Sequence, residues 1–206
     1  MIDYRSPWMD DELEMFRDAA KRFIESEIVP NDARWREQHH VDRDIWNKAG
    51  EVGLLCTDIP DQYGGVGGDA RHEAVVLEEM GRRGITSFGH MVHSILAHYV
   101  LNYGSEAQKL DWLPRMASGE LVGAIAMTEP GAGSDLQAVK CRAVREGDQY
   151  VLNGAKTFIS NGLHAGLVGV VAKTDPAKGS KGISIIMVET NDLPGYRVGR
   201  VLDKIG

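Results

Sequence analysis

LVGAIAMTEPGAGSDL, residues 121–136, opens as an apolar run and closes in a turn of Pro130, two glycines, Ser134 and Asp135. The run LVGAIAMT is short and rich in small and β-branched residues, so it reads as a buried strand. The hydrophobic period of the chain changes at this point. Upstream, apolar residues recur at spacings of three and four; downstream, they alternate or fall in short β-rich blocks.

Within 10–29, Leu13, Phe16, Ala20, Phe23, Ile24 and Ile28 lie on one helical face, with Asp10 or Asp11 as N-cap and Pro30 as the stop. Further helices are expected over 42–53, 69–84, 87–104 and 105–119. The fourth, SFGHMVHSILAHYVLNYG, is apolar almost all round and predicts a buried helix. The last opens on Ser105 as cap and contains Pro114, a residue that kinks or divides helices.

Downstream, AVKCRAVREGDQYVLNGAKTFIS alternates, with turns at Gly147-Asp148 and Asn153-Gly154; the Asn-Gly pair is a hairpin signal. LVGVVAKT and GISIIMVET are further strands, and YRVGRVL at 196–202 is a last β-rich run. Helices first and strands second give an α+β chain. No strand–helix alternation is present, which excludes a doubly wound nucleotide fold.

The net charge of −7 is unevenly spread: residues 1–120 hold 13 Lys/Arg against 22 Asp/Glu, whereas 121–206 hold 10 against 8. The acidic half argues against a nucleic-acid partner. No apolar run reaches the ~18 residues of a membrane span. The acidic N-terminus resembles neither a signal nor a transit peptide, and Cys56 and Cys141 are far apart, as in a reduced cytoplasmic protein. GGVGGDA at 64–70 has the spacing of a dinucleotide fingerprint but no surrounding βαβ unit, so it reads as a tight loop. His90 and His93 lie one helical turn apart without a third ligand at suitable spacing, so no metal site is expected.

The turn after LVGAIAMT remains. Thr128 places a hydroxyl at a strand end, Gly131 and Gly133 admit close approach to the backbone, and Ser134 adds a donor beside turn N–H groups. A structural turn accounts for the glycines alone. It does not account for the later KTFISNG.

Together, AMTEPGAGSDLQA at 126–138 and NGAKTFISNG at 153–162 resemble the two flavin segments of the acyl-CoA dehydrogenases, with GGVGGD and YGSEAQK in matching order. SFGHMVHSILAHYVLNYGSEAQ and FISNG are most similar to the long-chain type. The resemblance implies an N-terminal helical domain over 1–121, then an antiparallel β-barrel or sandwich domain over 122–206, incomplete at its end. It implies FAD, and α,β-dehydrogenation of an acyl-CoA to a trans-2-enoyl-CoA: a base takes the α-proton while the β-hydride passes to the flavin.

By this resemblance, Ile125, Met127, Thr128, Gly133, Ser134, Phe158, Ile159 and Ser160 bind the cofactor, with Phe158 in place of the family's common tryptophan. Ser134, Met91, Val92, Ser180 and Lys181 meet the substrate, and Met91 suits medium to long acyl chains. Electron-transferring flavoprotein is the implied electron acceptor and a homotetramer the implied assembly. The family's catalytic glutamate lies in a C-terminal helical domain beyond this chain, so no catalytic residue is assigned and the chain by itself is expected to be inactive. The alternatives are an acyl-CoA oxidase or flavin monooxygenase of the same fold, and a non-catalytic acyl-CoA-binding subunit.

Overall fold

The computed structural model describes residues 6–204. The chain divides into two compact units: one holds the described residues up to Leu121 together with Asp203 and Lys204, the other Val122–Leu202.

Among the described residues, the first unit contains six α-helices: α1 (Asp11–Phe23), α2 (Val29–Gln38), α3 (Asp44–Glu51), α4 (Ala70–Arg82), α5 (His90–Tyr103) and α6 (Glu106–Ala117). Asp10 caps α1, its carboxylate accepting from the Leu13 N–H at 2.9 Å. Met9, Leu13 and Val75 pack together with Phe16 against them, joining α1 to α4. Trp35, Trp46, Ile45, Leu96, Leu113 and Met116 are among the unit's most fully buried side chains.

Pro30 does not stop the first helix. A π-helical turn, Ile24–Ile28, leads directly into α2, and Pro30 falls in its first turn, where a missing N–H costs no intrahelical bond. Pro114 lies inside α6, which nevertheless runs on undivided to Ala117. GGVGGD is a tight loop: a Cβ on Gly65 would lie 2.1 Å from the Ile59 carbonyl oxygen, so only glycine fits.

α5 departs from the fully buried helix expected of it. His90, His93, Ser94, Leu96, Ala97 and Val100 face inward, while Met91, Ile95 and Tyr103 are exposed. The two inward histidines explain part of the apolar appearance: each satisfies a ring nitrogen on a carbonyl. His90 Nε2 donates to Leu54 O at 2.8 Å and His93 Nε2 to Met116 O at 3.1 Å.

The second unit is one sheet of β1 (Val122–Ala126), β2 (Arg142–Glu146), β3 (Gln149–Asn153), β4 (Ala165–Lys173) and β5 (Ile183–Glu189). β4 is central and buried. β5 pairs with it antiparallel along seven residues, and β1 pairs with it parallel from Val122↔Ala165 to Ala126↔Val170. Arg142 of β2 meets Lys173 in a short parallel contact, and β2–β3 is an antiparallel hairpin around Gly147-Asp148.

The order of helical domain then β-domain stands, but the sheet is mixed and not wholly antiparallel. The long excursion from β1 to β4 returns the chain to the same end, so the two strands run in one direction. The Asn153-Gly154 hairpin does not form. Gly154 is packed on Cys141, its Cβ position 2.7 Å from Sγ, and the chain leaves β3 without turning back. YRVGRVL forms no strand; residues 196–201 are exposed and find no pairing partner among the described residues.

Candidate functional site

β1 carries Ala124 and Ala126 into a buried cluster with Ala165 and Val168, which leaves Ile125 on the opposite face. Met127 and Thr128 follow the last strand residue and are half-buried. The backbone then reverses over Pro130-Gly131: Glu129 and Ala132 exchange N–H···O bonds of 2.9 and 3.1 Å. Gly133 and Ser134 continue into solvent, and Asp135 caps a 3₁₀ turn at Leu136–Ala138. Gly131 and Gly133 have no atom within 4 Å of a built Cβ, so packing within the fold does not demand glycine at either position.

The second segment returns beside the first. Thr157 N–H donates to Thr128 O at 2.9 Å, and Lys156 Nζ donates to Met127 O at 2.9 Å. Phe158 adopts a left-handed backbone (φ 57°) and its ring is 66% exposed. Such a conformation costs a non-glycine residue about 1–2 kcal/mol. Ile159 holds the other side by packing on the Ala124–Ala165 cluster, and Asn161, also left-handed at φ 64°, donates to Gly123 O at 3.1 Å. Ser160 is exposed between them.

Two residues missing from the sequence-based assignment tie this arrangement together. The Glu129 carboxylate is 6% exposed and accepts from Lys140 N at 2.6 Å, Cys141 N at 2.9 Å and Lys156 Nζ at 2.9 Å. Burial alone raises its pKa; the three donors outweigh that and hold it below the usual glutamate value. In the sequence, Glu129 is one of two acids in the first motif and Lys156 the only base in the second, and nothing local pairs them.

The remaining assigned residues lie elsewhere. Ser180 and Lys181 sit exposed in the 3₁₀ connection Pro176–Gly182 between β4 and β5. Met91 (53% exposed) and Val92 (half-buried) belong to α5 of the helical unit.

The model of the acyl-CoA dehydrogenase N-terminal domain matches residues 10–120, and that of the middle domain matches 124–206. The chain belongs to the acyl-CoA dehydrogenase family. It is 44% identical to the long-chain specific acyl-CoA dehydrogenase, mitochondrial, of Sus scrofa over 95% of this chain and 46% of that one. The crystal structure of an acyl-CoA dehydrogenase from Geobacillus kaustophilus superposes with a TM-score of 0.93 at 42% identity, covering 98% of this chain and 54% of that one. A glutaryl-CoA dehydrogenase from Mycobacterium smegmatis, solved in complex with FADH2, superposes at 0.80 with 31% identity, over 92% of this chain and 48% of that one. The chain thus spans about half the length of the relatives it matches.

Proposed function

We propose that this chain forms the flavin-holding and acyl-facing part of an FAD-dependent dehydrogenase that converts medium- to long-chain acyl-CoA to trans-2-enoyl-CoA. One observation carries the reading. Thr157 N–H bonded to Thr128 O sets a polar strand end beside an exposed, strained aromatic residue. The residues suit a flavin: Ile125 and Met127 offer apolar contact, Thr128, Ser134 and Ser160 offer hydroxyls, and Phe158 offers an aromatic face. Open space at Gly133, where a Cβ would otherwise stand, fits a ligand approaching the backbone.

When bound, FAD supplies the hydride acceptor. This chain orients it and excludes water from one side. Glu129 is not the base, because three donors hold it ionised and enclosed. Glu146 and Glu189 are exposed at strand ends. The family resemblance, not any residue of this chain, is what assigns the proton-abstracting glutamate to a C-terminal helical domain; on that reading this chain by itself is inactive. Met91, flexible and apolar on α5, lines the acyl end, and Val92 stands beside it; Lys181 and Ser180 approach the CoA phosphates. Electron-transferring flavoprotein accepts the electrons, and the complete enzyme is a homotetramer.

No helix among the described residues is long and apolar enough to cross a membrane. Cys56 and Cys141 are free and buried, which suits a reducing compartment such as the cytoplasm.

The test is anaerobic titration of the FAD-loaded complete gene product with acyl-CoA esters. Flavin bleaching with dodecanoyl-CoA, and weaker turnover of butyryl-CoA, is the expected result. Binding without bleaching would instead make it a binding subunit. Peroxide release in air would make it an oxidase.

A further inference from the structure

Lys156 and Glu129 form an ion pair that is almost closed to water, with side chains 10% and 6% exposed. Removing two charges from water is costly, and a well-packed apolar pair often gives equal or greater stability. What this pair adds is geometry. Lys156 Nζ grips the Met127 carbonyl and the Glu129 carboxylate, both at 2.9 Å. Through its two oxygens, Glu129 also fixes the backbone at Lys140 and Cys141. One ammonium thus spans the ends of two segments that are also joined by the Thr157–Thr128 backbone bond and, farther along, by the Asn161 side chain on Gly123 O. Phe158, two residues beyond Lys156, keeps its left-handed backbone within this frame.

We propose that Lys156 is a positioning residue: acting through Glu129 and the Met127 carbonyl, it fixes the distance between Met127–Thr128 and Phe158–Ser160 and so the seating of the flavin ring. This rests on the proposed flavin function. Lys156 Nζ is committed to two protein acceptors inside the fold.

The experiment uses the complete FAD-binding gene product and the double variant Glu129→Gln/Lys156→Met, which removes both charges together. Unfolding of the apoprotein, Kd for FAD by fluorescence quenching, and the visible circular dichroism of flavin at saturating FAD are measured. The double variant is expected to bind FAD at least about tenfold more weakly, as when a supporting shell is lost. At saturation its bound flavin is expected to show an altered dichroic band. A role confined to stability would lower Tm but leave the band of saturated flavin unchanged, and that result overturns the proposal. Lys156→Gln, which keeps a donor without the charge, is read in the same way, so a double variant that fails to fold does not shelter the idea. A wild type that binds no FAD sinks both this proposal and the flavin reading. A wild type that binds FAD, with variants whose flavin spectrum is unaltered, sinks this one alone.

Discussion

Two glycines separate the roles that one residue type can play. Gly65 is required by the fold, since a methyl group there would stand 2.1 Å from the Ile59 carbonyl oxygen and 2.6 Å from its carbon. Backbone, unlike a flexible side chain, cannot step aside. Gly65→Ala is expected to lower the stability of the helical unit by about 2 kcal/mol, read as a fall in the denaturant midpoint. Gly133 is the converse. Nothing lies within 4 Å of its Cβ position, so Gly133→Ala should change apoprotein stability by less than ~0.5 kcal/mol. If the flavin occupies that space, the same substitution raises the Kd for FAD several-fold. A Gly133→Ala protein that binds FAD normally would remove this glycine from the site, and a destabilised one would make it a fold residue like Gly65.

Elements were legible where their ends carry chemistry. Ser105 caps α6 in a reciprocal box: Gln108 N–H donates to Ser105 Oγ at 3.3 Å, and Ser105 N–H to Gln108 Oε1 at 2.8 Å. Ser105→Ala should therefore cost about 1 kcal/mol, visible in thermal unfolding, and Ser105→Asp should recover most of it. The misread elements failed for tertiary reasons. Pro30 signals a stop by local rule, yet a π turn places it where a helix tolerates proline. Asn153-Gly154 signals a hairpin, yet Gly154 is held against Cys141, and the chain goes on to deliver Lys156 to Glu129. YRVGRVL has strand composition, but pairing requires a free neighbouring edge, and no sequence pattern reports one. For the same reason the two flavin segments were readable as motifs while the ion pair joining them was not. Its partners are 27 residues apart, and their segments meet because residues 157–161 run back along β1, from Thr157 on Thr128 O to Asn161 on Gly123 O.

At the scale of the molecule, the two units carry different acid-sensitive groups. In the helical unit, His93 is fully enclosed. Burial, then the neighbouring His90, push its pKa down to about 3, against the opposing pull of the Met116 carbonyl and Glu73; Arg43 lowers it further. The native ring is therefore neutral across a range in which the unfolded chain, with a histidine pKa of about 6.5, takes up a proton. Between those two values the unfolded state binds more protons, so stability falls as pH falls, by about 1.4 kcal/mol per pH unit from this group. In the β-unit, Glu129 has the same sign but a lower window. Its contribution is complete above its ordinary value of about 4.5 and is lost only as pH drops through its depressed native value. All four tryptophans, Trp8, Trp35, Trp46 and Trp112, lie in the helical unit, so their fluorescence reports that unit alone. Amide exchange at Thr157, bonded to Thr128 O, reports the β-unit. On acidification from pH 7, the tryptophan-detected denaturant midpoint should begin to fall near pH 6.5, while protection at Thr157 persists to below pH 4.5. His93→Gln keeps a donor for Met116 O without a titrating ring, and it should flatten the early slope whatever it does to absolute stability. An unchanged slope in that variant would assign the acid sensitivity of the helical unit to groups other than His93.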